Sequence, residues 1–356
     1  MQAVRIRSFG GPSVLRVENC ALPFVHPDEV LLQVAYCGVC RHDLLTRGGA
    51  FPKVALPLTL GHQVSGWVAA LGSDVHGLEP GQPVMTMIYA GCGDCVECRA
   101  GNDARCLRGV PKFLGEDLDG GYAEYVAVKA RIVVPVPERI SLQEAAVVTC
   151  TVGTAYHACK TRGHIAAGET ILVTGASGGV GLHAVKVAKM LGSRVIGVTS
   201  SQTRASAVLR AGADDVIITA DRRFAKNAKV LNGGVGVDAV IEVVGGPTLM
   251  ESIHSLVPGG RLVLVGNVLG EEVKIRPAHF ILKELTMIGI KSCSKLEMLE
   301  VLQLVADGAL SIDVAEVMPL VMAETAHRRM EEGTVEGRVV LEVSKDFRSL
   351  PVKDRG

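Results

Sequence analysis

No run of about 18 uninterrupted apolar residues occurs in this chain of 356 residues, so nothing in it reads as a bilayer-spanning helix. Net charge is missing as well, since 37 Lys and Arg offset 37 Asp and Glu and no block of one sign stands out. That balance argues against nucleic acid and anionic membrane surfaces as electrostatic partners, and says nothing about a substrate. Met1-Gln-Ala-Val-Arg-Ile-Arg7 alternates like a strand, so it is expected to be part of the fold and not a signal peptide of basic-then-apolar pattern. There is no internal repeat and no low-complexity tract, and only residues 346–356 read as a frayed tail. Ten cysteines without a secretion signal point to a reducing cytoplasm and to metal before disulfides.

The densest chemistry that is present lies in Cys92-Gly-Asp-Cys95-Val-Glu-Cys98, closed by Cys106. Four soft thiolates at C-x2-C-x2-C-x7-C spacing suit a tetrahedral zinc, and Gly91, Gly93 and Gly101 let the loop wrap it. Such a site is closed, so it braces a lobe and performs no reaction. The alternatives are a pair of disulfides, which fits a reducing compartment poorly, or four unrelated thiols.

A chain of this length is comfortable for two domains. Up to about residue 150 it reads as short β-segments (30–34, 64–70, 84–88) broken by turns at Gly10-Gly11-Pro12 and Glu79-Pro80-Gly81. That pattern suits an antiparallel, barrel-like lobe. Beyond it, strands expected at 170–173, 194–198, 216–218, 238–244, 261–265 and 285–290 alternate with helices, the pattern of an α/β, doubly wound parallel sheet. Six strands complete such a sheet by Ile290, so the tail, with a helix at 296–306 and a strand at 337–343, is expected to return to the first lobe. The division expected is 1–150, 151–292 and 293–356.

Gly175-Ala-Ser177-Gly178-Gly179-Val180-Gly181 follows a strand and opens a helix. Gly178 and Gly179 would let the backbone approach a pyrophosphate, and Gly181 would let the helix pack close to the sheet. A tight turn without ligand is the plainer alternative. The next strand ends in Thr199-Ser200-Ser201-Gln-Thr-Arg204, with no carboxylate to accept from a ribose 2′-hydroxyl. Hydroxyls and an Arg suit a 2′-phosphate, so NADP(H) is expected over NAD(H), although the same residues suit a helix cap.

Three further residues have the chemistry of an open zinc site: Cys40 in Cys37-Gly-Val-Cys40-Arg-His42-Asp43, His62 in Leu-Gly-His62-Gln63, and Cys150. Two thiolates and an imidazole leave one exchangeable position, where a carbonyl or alcohol can be polarised beside a hydride-carrying cofactor. Asp43 is the natural acceptor for the second ring nitrogen of His62. Taken singly, Cys150 also reads as a buried thiol, His62 as a turn residue, and Cys37 with Cys40 as a redox pair. Spacing alone cannot unite positions 40, 62 and 150.

In this order these motifs resemble the zinc-dependent medium-chain dehydrogenases, the alcohol dehydrogenase family, over the chain up to about residue 343. The resemblance implies a GroES-like catalytic domain beside a Rossmann cofactor domain, and two Zn2+ per chain. Cys40, His62 and Cys150 would hold the catalytic ion, and Cys92, Cys95, Cys98 and Cys106 the structural one. Thr154 would touch the nicotinamide side, Gly266 and Asn267 would line the cofactor, and Arg338 would reach the pyrophosphate. It also implies a small-molecule substrate, a homodimer or homotetramer built through the cofactor domains, and an apolar pocket lined by Phe51, Ile88, Tyr89 and Phe113.

Two positions depart from that family. Gln63 stands where a Glu usually follows the ligand histidine, and His42 stands where a Ser or Thr hydroxyl usually passes the alcohol proton outward. An imidazole can shuttle protons itself, or His42 is a polar filler. The segments around Cys37–Leu45, Val173–Gly181, Val265–Asn267 and Ile281–Leu285 are similar to archaeal NADPH-dependent acryloyl-CoA reductases of the same superfamily, with Arg41, Arg47 and Lys53 as the basic residues near a CoA phosphate. The first expectation is therefore an NADP(H)-preferring alcohol dehydrogenase or carbonyl reductase. The second is an enoyl-thioester or enone reductase, and the third a non-catalytic NADP(H)-binding protein.

Overall fold

The computed structural model describes residues 1–267, 270–335 and 337–349, so most of the tail expected to fray lies outside the described residues. The chain forms two compact units. The first comprises Met1–Thr149, Ser294–Ala306 and Asp313–Gly356, and the second Cys150–Cys293 with Asp307–Ile312. Residues 307–312 thus leave the tail and rejoin the second unit, where Lys186 Nζ donates to Ser311 O (3.1 Å) and Oγ (2.8 Å).

The first unit is built on a seven-stranded sheet. Its path runs Val133–Pro135, Pro83–Thr86, Gln63–Leu71, Glu29–Gly38, Val339–Glu342 and Glu316–Pro319, and Tyr125–Lys129 pairs with Glu29–Gly38 off that path. All pairs are antiparallel except the last along the path, Glu316–Pro319 with Val339–Glu342. Glu29–Gly38 is the central strand and nearly every residue in it is buried, which is why it reads as a continuous apolar run. The tail reaches this sheet through Val340, Leu341 and Glu342, opposite Gly38, Cys37 and Tyr36.

Helix Leu142–Val148 begins at a capping box: Glu144 N donates to Ser141 Oγ (3.2 Å) while Ser141 N donates to Glu144 Oε2 (3.0 Å). It runs on into π-type turns at Thr149–Gly153, and Thr149 Oγ1 donates to Thr86 O (2.7 Å). Irregular turns of this kind often mark functional positions, because they rotate side chains off the regular helix face.

The second unit holds a six-stranded sheet, parallel throughout. Its order is Asp215–Ile218, Arg194–Thr199, Thr170–Val173, Val237–Glu242, Leu256–Leu264 and Thr286–Gly289. Counted within the sheet this is 3-2-1-4-5-6, a doubly wound Rossmann order whose direction reverses between Thr170–Val173 and Val237–Glu242. All four residues of Thr170–Val173 are buried, and Leu172, Ile196, Val240, Leu262 and Phe224 share one core.

Inside the first unit a polar chain crosses the core. Arg47 donates from Nε to Gly10 O (3.0 Å), pairs with Glu331, and lies 3.2 Å from His327 Nδ1, while His327 Nε2 lies 3.0 Å from Tyr122 Oη. Arginine only donates, so His327 accepts at Nδ1 and carries its proton on Nε2. Burial drives its pKa down to about 4, the cation of Arg47 adds to that, and the nearby Asp43 and Cys40 oppose it. An unfolded histidine titrates near 6.5, so the unfolded chain binds the extra proton between pH 6.5 and 4, and stability falls as pH drops through that window. The loss expected from this residue is on the order of 3 kcal/mol. Urea midpoints at pH 7 and pH 4.5 should diverge less in His327→Gln than in the parent; an identical divergence would show that His327 is not the source.

Candidate functional site

The candidate metal residues begin at a helix end. Cys40 occupies the N-cap position of helix Arg41–Gly48, and its N–H donates to Asp43 Oδ2 (2.8 Å). The other oxygen of Asp43 lies 3.0 Å from His62 Nδ1, and both side chains are 1% exposed. One carboxylate therefore orients both segments. Burial alone would depress the His62 pKa, but the charge and hydrogen bond of Asp43, with Cys40, raise it to about 10. A metal binding at Nε2 must displace that proton, and Asp43 then holds the ring in the tautomer that leaves Nε2 free.

His62 is presented by Gly61, whose φ is +100°. A Cβ there would lie 2.5 Å from Tyr122 Cδ1 and 2.7 Å from Cys37 Sγ, so only glycine fits. Cys150 follows Thr149, whose hydroxyl is anchored on Thr86, so its position is set by chain continuity. The ligand atoms of Cys40, His62 and Cys150 lie within 4.8 Å of one another. This donor set, two thiols and an imidazole backed by a carboxylate, suits zinc. Cys37 is outside the trio. Its thiol is free and fully buried, burial and Asp43 push its pKa well up, and both features disfavour the redox-pair reading.

His42 is held on both its ring and its edge. Its ring stacks on Phe51 (4.8 Å between centroids, 22°) and on Phe113 (4.3 Å, 19°), and its Nε2 lies 2.5 Å from Glu116 Oε2. Phe113 also meets His62 and Tyr89 edge-on, while Ile88 is buried and its carbonyl accepts from Leu114 N. Glu116 escaped the sequence reading because an acid in the turn Gly115-Glu-Asp117 carries no pattern of its own. Gln63 is fully buried, and among the described residues neither amide atom has a hydrogen-bond partner. The amide is thus available to a ligand or a water beside His62. Arg47, expected near a CoA phosphate, is 3% exposed and committed to Gly10, His327 and Glu331, so it is unavailable for that role; Arg41 and Lys53 are exposed.

Cys92, Cys95, Cys98 and Cys106 bring their sulfurs within 4.8 Å of one another, and Cys92 Sγ lies 3.9 Å from Cys98 Sγ. That distance is far too long for a disulfide, and it matches the separation of about 3.8 Å between thiolates placed tetrahedrally at 2.3 Å from zinc. Backbone N–H groups point at the sulfurs, from Leu107 to Cys95 and from Cys92 to Cys106, each at 3.4 Å. These bonds lower the Cys95 pKa to about 6 and that of Cys106 as well, whereas burial pushes Cys98 up to about 12. Four adjacent thiolates cannot all ionise unaided, and a divalent cation relieves the repulsion. Arg131 clasps the lobe, donating to Gly91 O (3.2 Å), Cys98 O (3.2 Å) and Asp103 Oδ2 (3.0 Å).

In the second unit the glycine turn leads into helix Gly179–Met190, with Gly178 at the N-cap and Val180 in the first turn. Gly175 has φ +56°, and a Cβ on Gly181 would sit 2.2 Å from Gly175 O, so helix and turn touch through bare backbone. Ser177 Oγ lies 3.1 Å from Thr199 Oγ1, joining the turn to the end of the next strand. Ser201 occupies the N-cap of helix Gln202–Arg210 without capping it by its side chain; its hydroxyl pairs with Thr203 Oγ1 at 2.7 Å. Ser200 is exposed, Arg204 is half-buried in that helix's first turn, and Thr154 is nearly buried on the short helix Thr154–Tyr156. Gly266 and Asn267 follow the strand Leu256–Leu264. Arg338 is 5% exposed, and its Nη1 donates to Val39 O (3.2 Å) within the first unit.

Residues 26–138 match the family described as alcohol dehydrogenase GroES-like domain, and residues 179–307 the family described as zinc-binding dehydrogenase. An acryloyl-coenzyme A reductase of Sulfurisphaera tokodaii is 35% identical, over 92% of this chain and 96% of that protein. An NAD-dependent alcohol dehydrogenase of Sulfolobus acidocaldarius is 33% identical, over 97% and 100% respectively. Among solved structures, AibC superimposes with a TM-score of 0.90 at 41% identity, covering 97% of this chain and 96% of its own.

The tight approach at Gly61 yields a direct test. Gly61→Ala should destabilise the protein by about 2–4 kcal/mol, from a left-handed backbone and a clash with Tyr122 together. A denaturation midpoint equal to that of the parent would mean that the Gly61–Tyr122 contact is not close-packed in solution.

Proposed function

This chain belongs to the zinc-type medium-chain dehydrogenase/reductase family, whose members include alcohol dehydrogenases, and from that membership we propose that it is an NADPH-dependent reductase of a conjugated enoyl thioester. The observation that carries this reading is His42, held face-on between Phe51 and Phe113 and edge-on by Glu116, where an alcohol dehydrogenase of this family usually has a hydroxyl. Alcohol oxidation needs only a path for a hydroxyl proton. Reduction of a C=C bond conjugated to a carbonyl needs a proton donor near the α carbon. A clamped imidazole suits the second task, because Glu116 and the two rings remove its rotational freedom. The likeness to acryloyl-coenzyme A reductase supports the same substrate class.

Cys40, His62 and Cys150 would hold the catalytic zinc, which when bound polarises a carbonyl oxygen. A bound NADPH would supply the hydride for the β carbon and His42 would give up a proton at the α carbon, so that the π bond is replaced by two C–H bonds and the carbon–carbon σ bond remains. Asp43 keeps His62 oriented, and Gln63 places a neutral amide where the family's carboxylate usually lies. Cys92, Cys95, Cys98 and Cys106 would hold the second ion. Thr199, Ser200, Ser201 and Arg204, with no carboxylate among them, are the basis for preferring NADP(H). Thr154, Gly175, Ser177, Gly178, Gly179, Val180, Gly181, Gly266, Asn267 and Arg338 complete the cofactor contacts in this reading.

A second reading, interconversion of an aldehyde or ketone with its alcohol, is favoured by the donor set, which serves carbonyl chemistry equally well, and by the likeness to an NAD-dependent alcohol dehydrogenase. A panel of acryloyl-CoA, crotonyl-CoA, aldehydes and ketones, each with NADPH and NADH, separates the two. Thioester-dependent oxidation of NADPH is expected; turnover confined to aldehydes or ketones would reverse the order.

Metal content tests the ligands independently of turnover. Purified parent should carry two zinc ions per chain. Cys40→Ser should carry one and still quench with NADPH, and Cys98→Ser should lose the other ion and part of its thermal stability. Two ions retained in Cys40→Ser would remove Cys40 from the ligand set.

A further inference from the structure

Glu242, the last residue of the strand Val237–Glu242, is fully buried, and among the described residues no Lys, Arg or His pairs with it. Neutral donors satisfy it instead. Oε1 accepts from Thr174 Oγ1 (2.7 Å), Val244 N (2.9 Å), Gly245 N (2.9 Å) and Thr248 Oγ1 (2.7 Å), and Oε2 from Ser252 Oγ. Thr174 Oγ1 in turn accepts from Val243 N at 2.9 Å. The main-chain oxygen of Glu242 takes the N–H groups of Val265 (2.9 Å) and Gly266 (3.2 Å).

These bonds converge from three loop tips: Thr174 at the start of the glycine turn, Val243–Gly245, and Val265–Gly266. The tips follow three neighbouring parallel strands, and the first two flank the point where strand order reverses. Ligands of open parallel sheets lie at the carboxyl ends of the strands at that point. The tips are in contact, since a Cβ on Gly266 would lie 2.0 Å from Val243 O. A buried carboxylate without a cation is an expensive way to stabilise a sheet, and an apolar side chain of similar volume would stabilise it as well or better. What the carboxylate does that an apolar residue cannot is fix two consecutive amides and three hydroxyls in one arrangement.

We propose that Glu242 is a positioning residue for the dinucleotide: it locks the three loop tips in the conformation that receives the cofactor, so that binding does not have to order them. This rests on the reading of the glycine turn as an NADP(H) site. Thr174 carries the link between the Glu242 carboxylate and that turn.

The test uses the full-length, metal-loaded protein and NADPH fluorescence titration, with KM for NADPH and kcat measured in parallel and Tm as a check on folding. Thr174→Val, nearly isosteric, should raise the NADPH Kd about tenfold, the effect of one buried hydrogen-bond pair. Thr174→Ser should restore the parent affinity. Glu242→Gln should weaken binding further, because a neutral amide offers one acceptor oxygen where the carboxylate offers two and forces Ser252 Oγ from donor to acceptor, and KM should rise by a larger factor than kcat falls. Parent-like Kd in folded Thr174→Val would overturn the proposal and leave Glu242 a purely structural residue; if Glu242→Gln does not fold, Thr174→Val decides alone. A parent protein that fails to bind NADPH would instead overturn the dinucleotide reading, and this inference with it.

Discussion

The carboxylate of Asp43 is the constraint on which the first unit's chemistry depends. It sits at the start of a short helix, where the free N–H groups favour an anion, and it spends one oxygen on the N–H of Cys40 and the other on the ring of His62. Two segments far apart in sequence are thereby brought to one carboxyl group. Gly61 serves the same end from the other side, since it is the absence of a Cβ that lets His62 come in beside Tyr122 and Cys37.

Around that centre the aromatic residues act as a clamp more than as a pocket wall. The His42 ring stacks on Phe51 and on Phe113, and Phe113 also meets His62 edge-on, so His42 and the candidate metal-binding ring share a neighbour. Glu116 closes the edge. An imidazole packed in this way has lost most of its side-chain entropy before any substrate arrives, which is the condition for efficient proton delivery.

The second unit solves a related problem with a buried anion of its own. Its loops are short and glycine-rich, and such loops pay a large conformational entropy for order. Glu242 accepts convergent hydrogen bonds from Thr174, Val244, Gly245, Thr248 and Ser252, as Asp43 in the first unit accepts from Cys40 and holds His62. In both, a carboxylate at an element end organises the groups around it, and neither is itself exposed to solvent.

Much of this was readable in the chain. Alternating strands and helices after residue 150 dictated a parallel sheet, because βαβ connections leave no other economical pairing. The four-cysteine spacing dictated one cluster of sulfurs, since residues so close in sequence are close in space. The missing carboxylate after Val198 was likewise a local fact. The partnership of Cys40, His62 and Cys150, the clamp on His42, the burial of Arg47 and the convergence on Glu242 were decided by tertiary structure alone. Each joins residues separated by tens or hundreds of positions, and a contact of that kind depends on how elements pack, which no local pattern of residue types encodes.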